Sequence, residues 1–205
     1  MNIPEEVLDG VRELITIGVG LSGGMLNQLT NAHVTLTVPD VQISNVASEN
    51  YMSTVLYRLS LDNTSYVTLK FSGELTGSFS LMIPYHSALN LVVILTGEEG
   101  SPDEMDALRV ETLLEVGNII ISAVMSAVSI LLTSRLSFEF PSYRSEKTLN
   151  LISPLILNQS DVGIIAKTHF SVFQKEFVGD IFMLLTRDSY QHIENRIFSI
   201  MNEGL

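Results

Sequence analysis

The chain repeats itself. Shifted by 102 positions, the 205-residue sequence aligns with itself without a gap: Glu13 falls on Glu115, Pro39 on Pro141, Phe71 on Phe173, Glu74 on Glu176, Gly77 on Gly179 and Ser87 on Ser189. Similar residues coincide around them, including Leu14 with Val116, Ile17 with Ile119, Leu29 with Leu131, Leu36 with Phe138, Leu81 with Met183 and Leu95 with Ile197. The offset is half the length, so any fold must be built twice from one plan. No linker separates the halves. The expectation is a single domain over residues 1–205, made of two repeats at about 1–102 and 103–205, related by a pseudo-twofold axis and sharing one core.

Each half reads alike. A helical stretch comes first, Val7 to Asn31 and Asp103 to Thr133, the second opened by Ser101-Pro102-Asp103-Glu104 as cap, first-turn proline and early acids. Strands follow. Val34, Leu36 and Val38 alternate with Thr35 and Thr37. Further strands are expected near Met52–Leu61, Tyr66–Phe71 and Gly77–Ile83, and in the second half near Leu136–Phe140, Ile152–Leu157, Val162–Phe170 and Glu176–Leu185. A helix closes each half, Tyr85–Leu95 and Ser189–Asn202. Strands follow one another without intervening helices, so the sheet is expected to be largely antiparallel. The fold class is α+β: an internally duplicated domain in which a mostly antiparallel sheet is flanked by long helices.

Composition narrows the partners. With 11 lysines and arginines against 23 aspartates and glutamates the formal charge is -12. Nucleic acid and anionic membrane surfaces need basic groups to neutralise them, so both are disfavoured. A partner with a basic patch suits this charge. There are no cysteines, which removes disulfides, thiolate chemistry and cysteine-bound zinc and fits a cytoplasmic protein. Met1-Asn2-Ile3-Pro4-Glu5-Glu6 lacks the basic start and apolar run of a signal peptide. The most apolar stretch, Ile119 to Leu132, is interrupted by Ser122, Ser126 and Ser129 and reads as a buried core helix.

The candidate chemistry lies on the long helices. Glu111, Glu115 and Asn118 are spaced i, i+4, i+7 and share one face, continued by Ser122. Asp9, Glu13 and Thr16 repeat that spacing. In both halves a proline stands twenty-three residues after the third member, Pro141 after Asn118 and Pro39 after Thr16. The bland reading of such a stripe is a solvated helix face; the in-register repetition favours a functional one.

These residues resemble the signature of the CheC, CheX and FliY chemotaxis phosphatases, an acidic or serine residue followed by x3-E-x2-N-x22-P, often given twice. Glu111-x3-Glu115-x2-Asn118-x22-Pro141 matches in spacing, with glutamate at the first position instead of aspartate or serine. Asp9-x3-Glu13-x2-Thr16-x22-Pro39 departs at one place, where threonine stands for asparagine. The length is most like CheC. The resemblance implies a phosphatase that hastens loss of the phosphoryl group from the aspartyl phosphate of a CheY-type response regulator. Glu115 would dock against the regulator's lysine and Asn118 would position the attacking water, with Pro141 shaping a strand end. Glu13 and Thr16 would form a second, weakened site. The chain itself needs no cofactor, because the magnesium ion is held by the regulator. The resemblance also implies a rival, a non-catalytic module that grips the regulator or the deamidase CheD. A flagellar-switch role of the FliY kind is set aside because no switch-binding domain follows Leu205.

The loop-like glycines offer two further readings. Gly18-Val19-Gly20-Leu21-Ser22-Gly23 spells the dinucleotide fingerprint, with Asp40 beyond it. That remoter alternative needs a strand before and a helix after, whereas the equivalent segment Ile120–Met125 reads as helix interior. Gly20-Leu21-Ser22-Gly23-Gly24 spells the nucleophile elbow. Asp161 or Asp180 with His192 are the only nominees to complete it, and nothing around them supports a triad. His33, His86, His169 and His192 are scattered and form no metal-ligand spacing. Glu98-Glu99 sits in a turn, Thr96–Gly100.

Overall fold

The structure, a computed structural model, describes residues 3–30, 33–48, 63–98, 104–133, 135–146, 161–173 and 175–203. In chain order the elements are α1 (Glu5–Thr30), β1 (Val34–Asn45), β2 (Thr64–Gly73), β3 (Gly77–Pro84), α2 (Tyr85–Thr96), α3 (Ala107–Leu132), β4 (Leu136–Phe138), β5 (Ser142–Glu146), β6 (Val162–Val172), β7 (Lys175–Leu185) and α4 (Arg187–Glu203). The expected strands at Met52–Leu61 and Ile152–Leu157 lie outside the described residues.

Seven strands among the described residues form one sheet in the order β1-β6-β7-β3-β2-β4, with β5 also paired to β2. Every pairing is antiparallel. The order reads the same from either end when each strand is exchanged for its counterpart in the other half. The central register follows the same rule: Phe79 pairs with Met183, and the 102-position shift carries that pair onto Ile181 and Leu81, which also pair. The long helices obey it too, since Glu5–Thr30 moved by 102 positions gives Ala107–Leu132.

Both prolines of the repeat interrupt an edge strand. Pro39 lies where the β1–β6 register shifts between Thr37 and Asp40. Pro141 lies between β4 and β5. Proline cannot donate to a ladder, so it belongs at such irregularities.

Glycines seat the long helices. A Cβ on Gly117 would come within 2.5 Å of Val67, so the bare backbone lets α3 settle directly on β2. A Cβ on Gly18 would lie 2.4 Å from the Cα of Val124, so α1 and α3 touch there backbone to backbone. The two helices run antiparallel. On α4, Ile197 meets Gly10 near the start of α1, while Arg196 donates to the carbonyl of Leu131 at the end of α3. Val67, Leu69 and Phe71 face the helices and join the core with Ile15, Val19, Ile120, Ile121 and Val124. The apolar stretch read as a core helix is one: α3 is long and apolar enough to cross a membrane by composition alone, and it spends its apolar side chains on this core.

One expectation requires correction. The second long helix does not begin at Asp103. It starts at Ala107, capped by Asp106, whose side chain accepts from the backbone of Arg109. The Asp106 carboxylate, five residues beyond Ser101, makes the cap because it satisfies a first-turn N–H directly. Gly18, Gly20 and Gly23 all lie inside α1, as the helix-interior reading of this segment expects, and form no phosphate loop. Gly18 packs on Val124 and Gly23 on Leu36. Close packing accounts for Gly18 and Gly23, whereas Gly20 is exposed with open space around it. Ser22 of the apparent nucleophile elbow is fully buried in the same helix and donates to the carbonyl of Val19 at 2.7 Å.

Candidate functional site

Helix geometry dictates where the motif residues point. Gly117 faces the sheet. Glu115 is turned about 200° from it and Asn118 about 100°, at about 100° per residue. Glu115 is therefore directed away from the sheet and is exposed, as are Glu111 and Ser122, while Asn118 is half-buried at the margin of the stripe. The structure brings Glu111, Glu115, Asn118 and Ser122 onto one solvent-facing strip, as the spacing requires.

Around the axis of α3, Asn118 is about 120° from Val124, the residue that meets α1. Thr16 is about 160° from Gly18 on α1. Each stripe thus lies on the flank of its helix turned away from the other. Asp9, Glu13 and Thr16 are all exposed on their flank.

The two strips are not electrostatically equal. Arg12 ion-pairs with Asp9 at 2.6 Å, so one carboxylate of the first strip is already engaged. No ion pair to Glu111 or Glu115 occurs among the described residues. In the second strip Ser122 donates to Oδ1 of Asn118 at 3.4 Å. Its counterpart in the first strip is Gly20, which has no side chain to do this.

The start of α3 is pinned by a cluster that sequence reading missed. The Arg109 guanidinium donates to Glu98 Oε2 at 2.7 and 3.2 Å, to Asp106 at 2.8 Å and to the carbonyl of Glu104 at 3.2 Å. The hydrogen bond to Glu98 raises the guanidinium pKa above its ordinary value, with Asp106 and Glu104 adding their field. Tyr85 on α2 accepts from the backbone of Met105. In the sequence Glu98 reads only as part of a turn. Gly97 does turn the chain in the left-handed region, φ 70°, and so aims Glu98 at α3.

The described residues thus form one antiparallel sheet with α1 and α3 on one face and an acid–amide strip on the outer side of α3. The chain is 27% identical over 201 residues to the CheY-P phosphatase CheC of Bacillus subtilis (strain 168), with 93% of each chain covered. Among solved structures it resembles FliY of Thermotoga maritima, with a TM-score of 0.76, 16% identity, and 97% of this chain and 99% of that one covered. It also resembles a chain of the CheX-CheY-BeF3-Mg complex from Borrelia burgdorferi, with a TM-score of 0.53, 15% identity and coverage of 85% and 96%. No family model matches the chain. At those identities the two structures speak for the fold alone. With the CheC relative and the repeated motif, the chain resembles the CheC/CheX/FliY phosphatases in sequence, and with the two structures it resembles them in fold.

Proposed function

We propose that the chain is a cytoplasmic phosphatase acting on the aspartyl phosphate of a CheY-type response regulator, through the Glu115–Asn118 strip of α3. The observation that carries this reading is the placement of an exposed acid and a half-buried amide, one turn apart, on the outer strip of a helix seated by Gly117 and pinned at its start by Arg109.

The chemistry fits what those groups can do. Phosphoryl transfer to water passes through a loose transition state, so positioning and electrostatics dominate. The regulator contributes its own magnesium ion and a lysine beside the phosphoryl group. Asn118 holds a water in line with phosphorus: its amide accepts from and donates to that water, and carries no charge to desolvate. The water oxygen bonds to phosphorus as the bond to the aspartyl oxygen breaks. Inorganic phosphate leaves with the water's proton and the aspartate is restored. Glu115 pairs with the regulator's lysine and fixes the docking register. The net charge of -12 favours approach by a basic partner surface.

The test is catalytic turnover. A substoichiometric amount of this chain should clear an excess of phosphorylated regulator; a rate that stays at the regulator's own background would reject the enzyme. That second outcome would favour a binding module for the regulator or for CheD. The likeness to FliY and the threonine at position 16 are the observations that motivate this rival.

A further inference from the structure

Side chains alternate along a strand, so the face of the sheet opposite α1 and α3 carries Tyr66, Thr68 and Lys70 of β2. A cleft of about 390 Å³ opens on this face. Thr68 and Ser142 line it and belong to a row of hydroxyls across three strands: Ser142 pairs in register with Thr68, and Thr68 with Ser80. The Thr68 and Ser80 hydroxyls bond at 2.8 Å, and Ser142 donates to the carbonyl of Thr68.

Two cations flank that row. Arg144 stands two residues beyond Ser142 and Lys70 two residues beyond Thr68, on opposite sides and on the same face. Their Cα rows are therefore about 13 Å apart, a span that two long basic side chains bridge around one small anion. Both are exposed, and neither has an ion-pair partner among the described residues, in a chain of net charge -12. Ser78 also lines the cleft. It is 6% exposed, and its hydroxyl makes no hydrogen bond among the described residues. A donor in that position, nine-tenths buried and unused, is expected to meet an acceptor that enters the cleft.

The remaining polar groups restrict what fits. Glu139 stands beside Lys70, its backbone donating to the Lys70 carbonyl, and Asp161 lines the cleft further along. Carboxylates there repel a compact polyanion but accept from hydroxyl groups. Leu184 supplies an apolar wall. We propose that this cleft binds a small phosphate monoester with a hydroxylated body. The phosphate lies between Lys70 and Arg144 over Thr68, and the body's hydroxyls reach Ser78, Glu139 and Asp161. The site is on the opposite face of the sheet from the Asn118 helix and does not depend on the phosphatase reading.

Thermal unfolding of the full chain with ribose 5-phosphate, ribose and inorganic phosphate tests the inference. Binding to the folded state alone raises Tm with ligand concentration. Ribose 5-phosphate at millimolar concentration should raise Tm by a few degrees, ribose should not, and inorganic phosphate should do so less. The Lys70→Gln/Arg144→Gln variant should lose the shift, and Ser78→Ala should reduce it without altering charge. No shift in the unmutated chain would overturn the proposal. So would an equal shift with inorganic phosphate, or a shift that survives the double substitution.

Discussion

The Ser122 hydroxyl donates to Oδ1 of Asn118 from one turn further along α3, at 3.4 Å. The bond engages the carbonyl end of the amide from the protein side and steadies the side chain that the proposed mechanism uses. A long bond of this kind between solvent-facing groups is worth at most about 1 kcal/mol. Ser122→Ala should therefore lower kcat by about two- to fivefold and leave KM unchanged. A change in KM alone would assign Ser122 to docking. Ser122→Thr, which keeps the hydroxyl, should retain most of the rate.

The strip in the first half lacks both parts of this arrangement, with Thr16 for the amide and Gly20 for the hydroxyl. Threonine is shorter than asparagine and stiff at χ1. Thr16→Ala should leave dephosphorylation within about twofold of the unmutated rate, well short of the 10²–10⁴-fold scale of a lost catalytic group. A collapse of turnover in Thr16→Ala would show that the first strip carries the activity.

Gly117 fixes the height of α3 above the sheet. A Cβ there would stand 2.5, 2.7 and 3.0 Å from the three side-chain carbons of Val67. Gly117→Ala should destabilise the fold by about 1–3 kcal/mol, the usual cost of overpacking, read as a lower Tm. Adding Val67→Ala should recover part of that loss, because the two sites are in direct contact. Strict additivity in the double variant would contradict the contact.

Tyr190 is fully buried, and its hydroxyl has no hydrogen-bond partner in bonding geometry. Burial pushes its pKa up from 10.0 to about 12, with the Glu194 carboxylate acting in the same direction. The unfolded chain loses this proton first as pH rises, so the tyrosine's contribution is intact below pH 10.0 and lost as pH climbs toward about 12. Tyr190→Phe should be no less stable at neutral pH, since it removes an unpaired buried hydroxyl, and its stability should fall less between those pH values. Identical alkaline unfolding curves would rule out Tyr190 as the titrating group.

Much of this was legible in the residues because it is periodic. The 102-position repeat foretold two matching long helices, and alternation placed β2, β3, β6 and β7 within a few residues. The i, i+4, i+7 spacing put Glu111, Glu115 and Asn118 on one strip. Other features depend on contacts far apart in sequence. Nothing local says that Gly18 meets Val124 or that Gly117 meets Val67, which is why the glycine-rich segment imitated two unrelated motifs. Glu98 looks like a turn residue until the fold brings Arg109 to it across the α2–α3 connection. β5 was not foreseen, because Ser142–Glu146 is short and polar and owes its strand to pairing with β2. The row of hydroxyls between Lys70 and Arg144 appears only once β5, β2 and β3 are in register.

Asn118 is proposed to act in catalysis and not in docking. The direct measurement is decay of the aspartyl phosphate on a CheY-type regulator with the unmutated chain and with Asn118→Ala, alongside binding of the same regulator loaded with beryllofluoride and magnesium. Asn118→Ala should bind the loaded regulator with nearly unchanged affinity yet leave decay at the regulator's own rate. Full acceleration by Asn118→Ala would contradict that role.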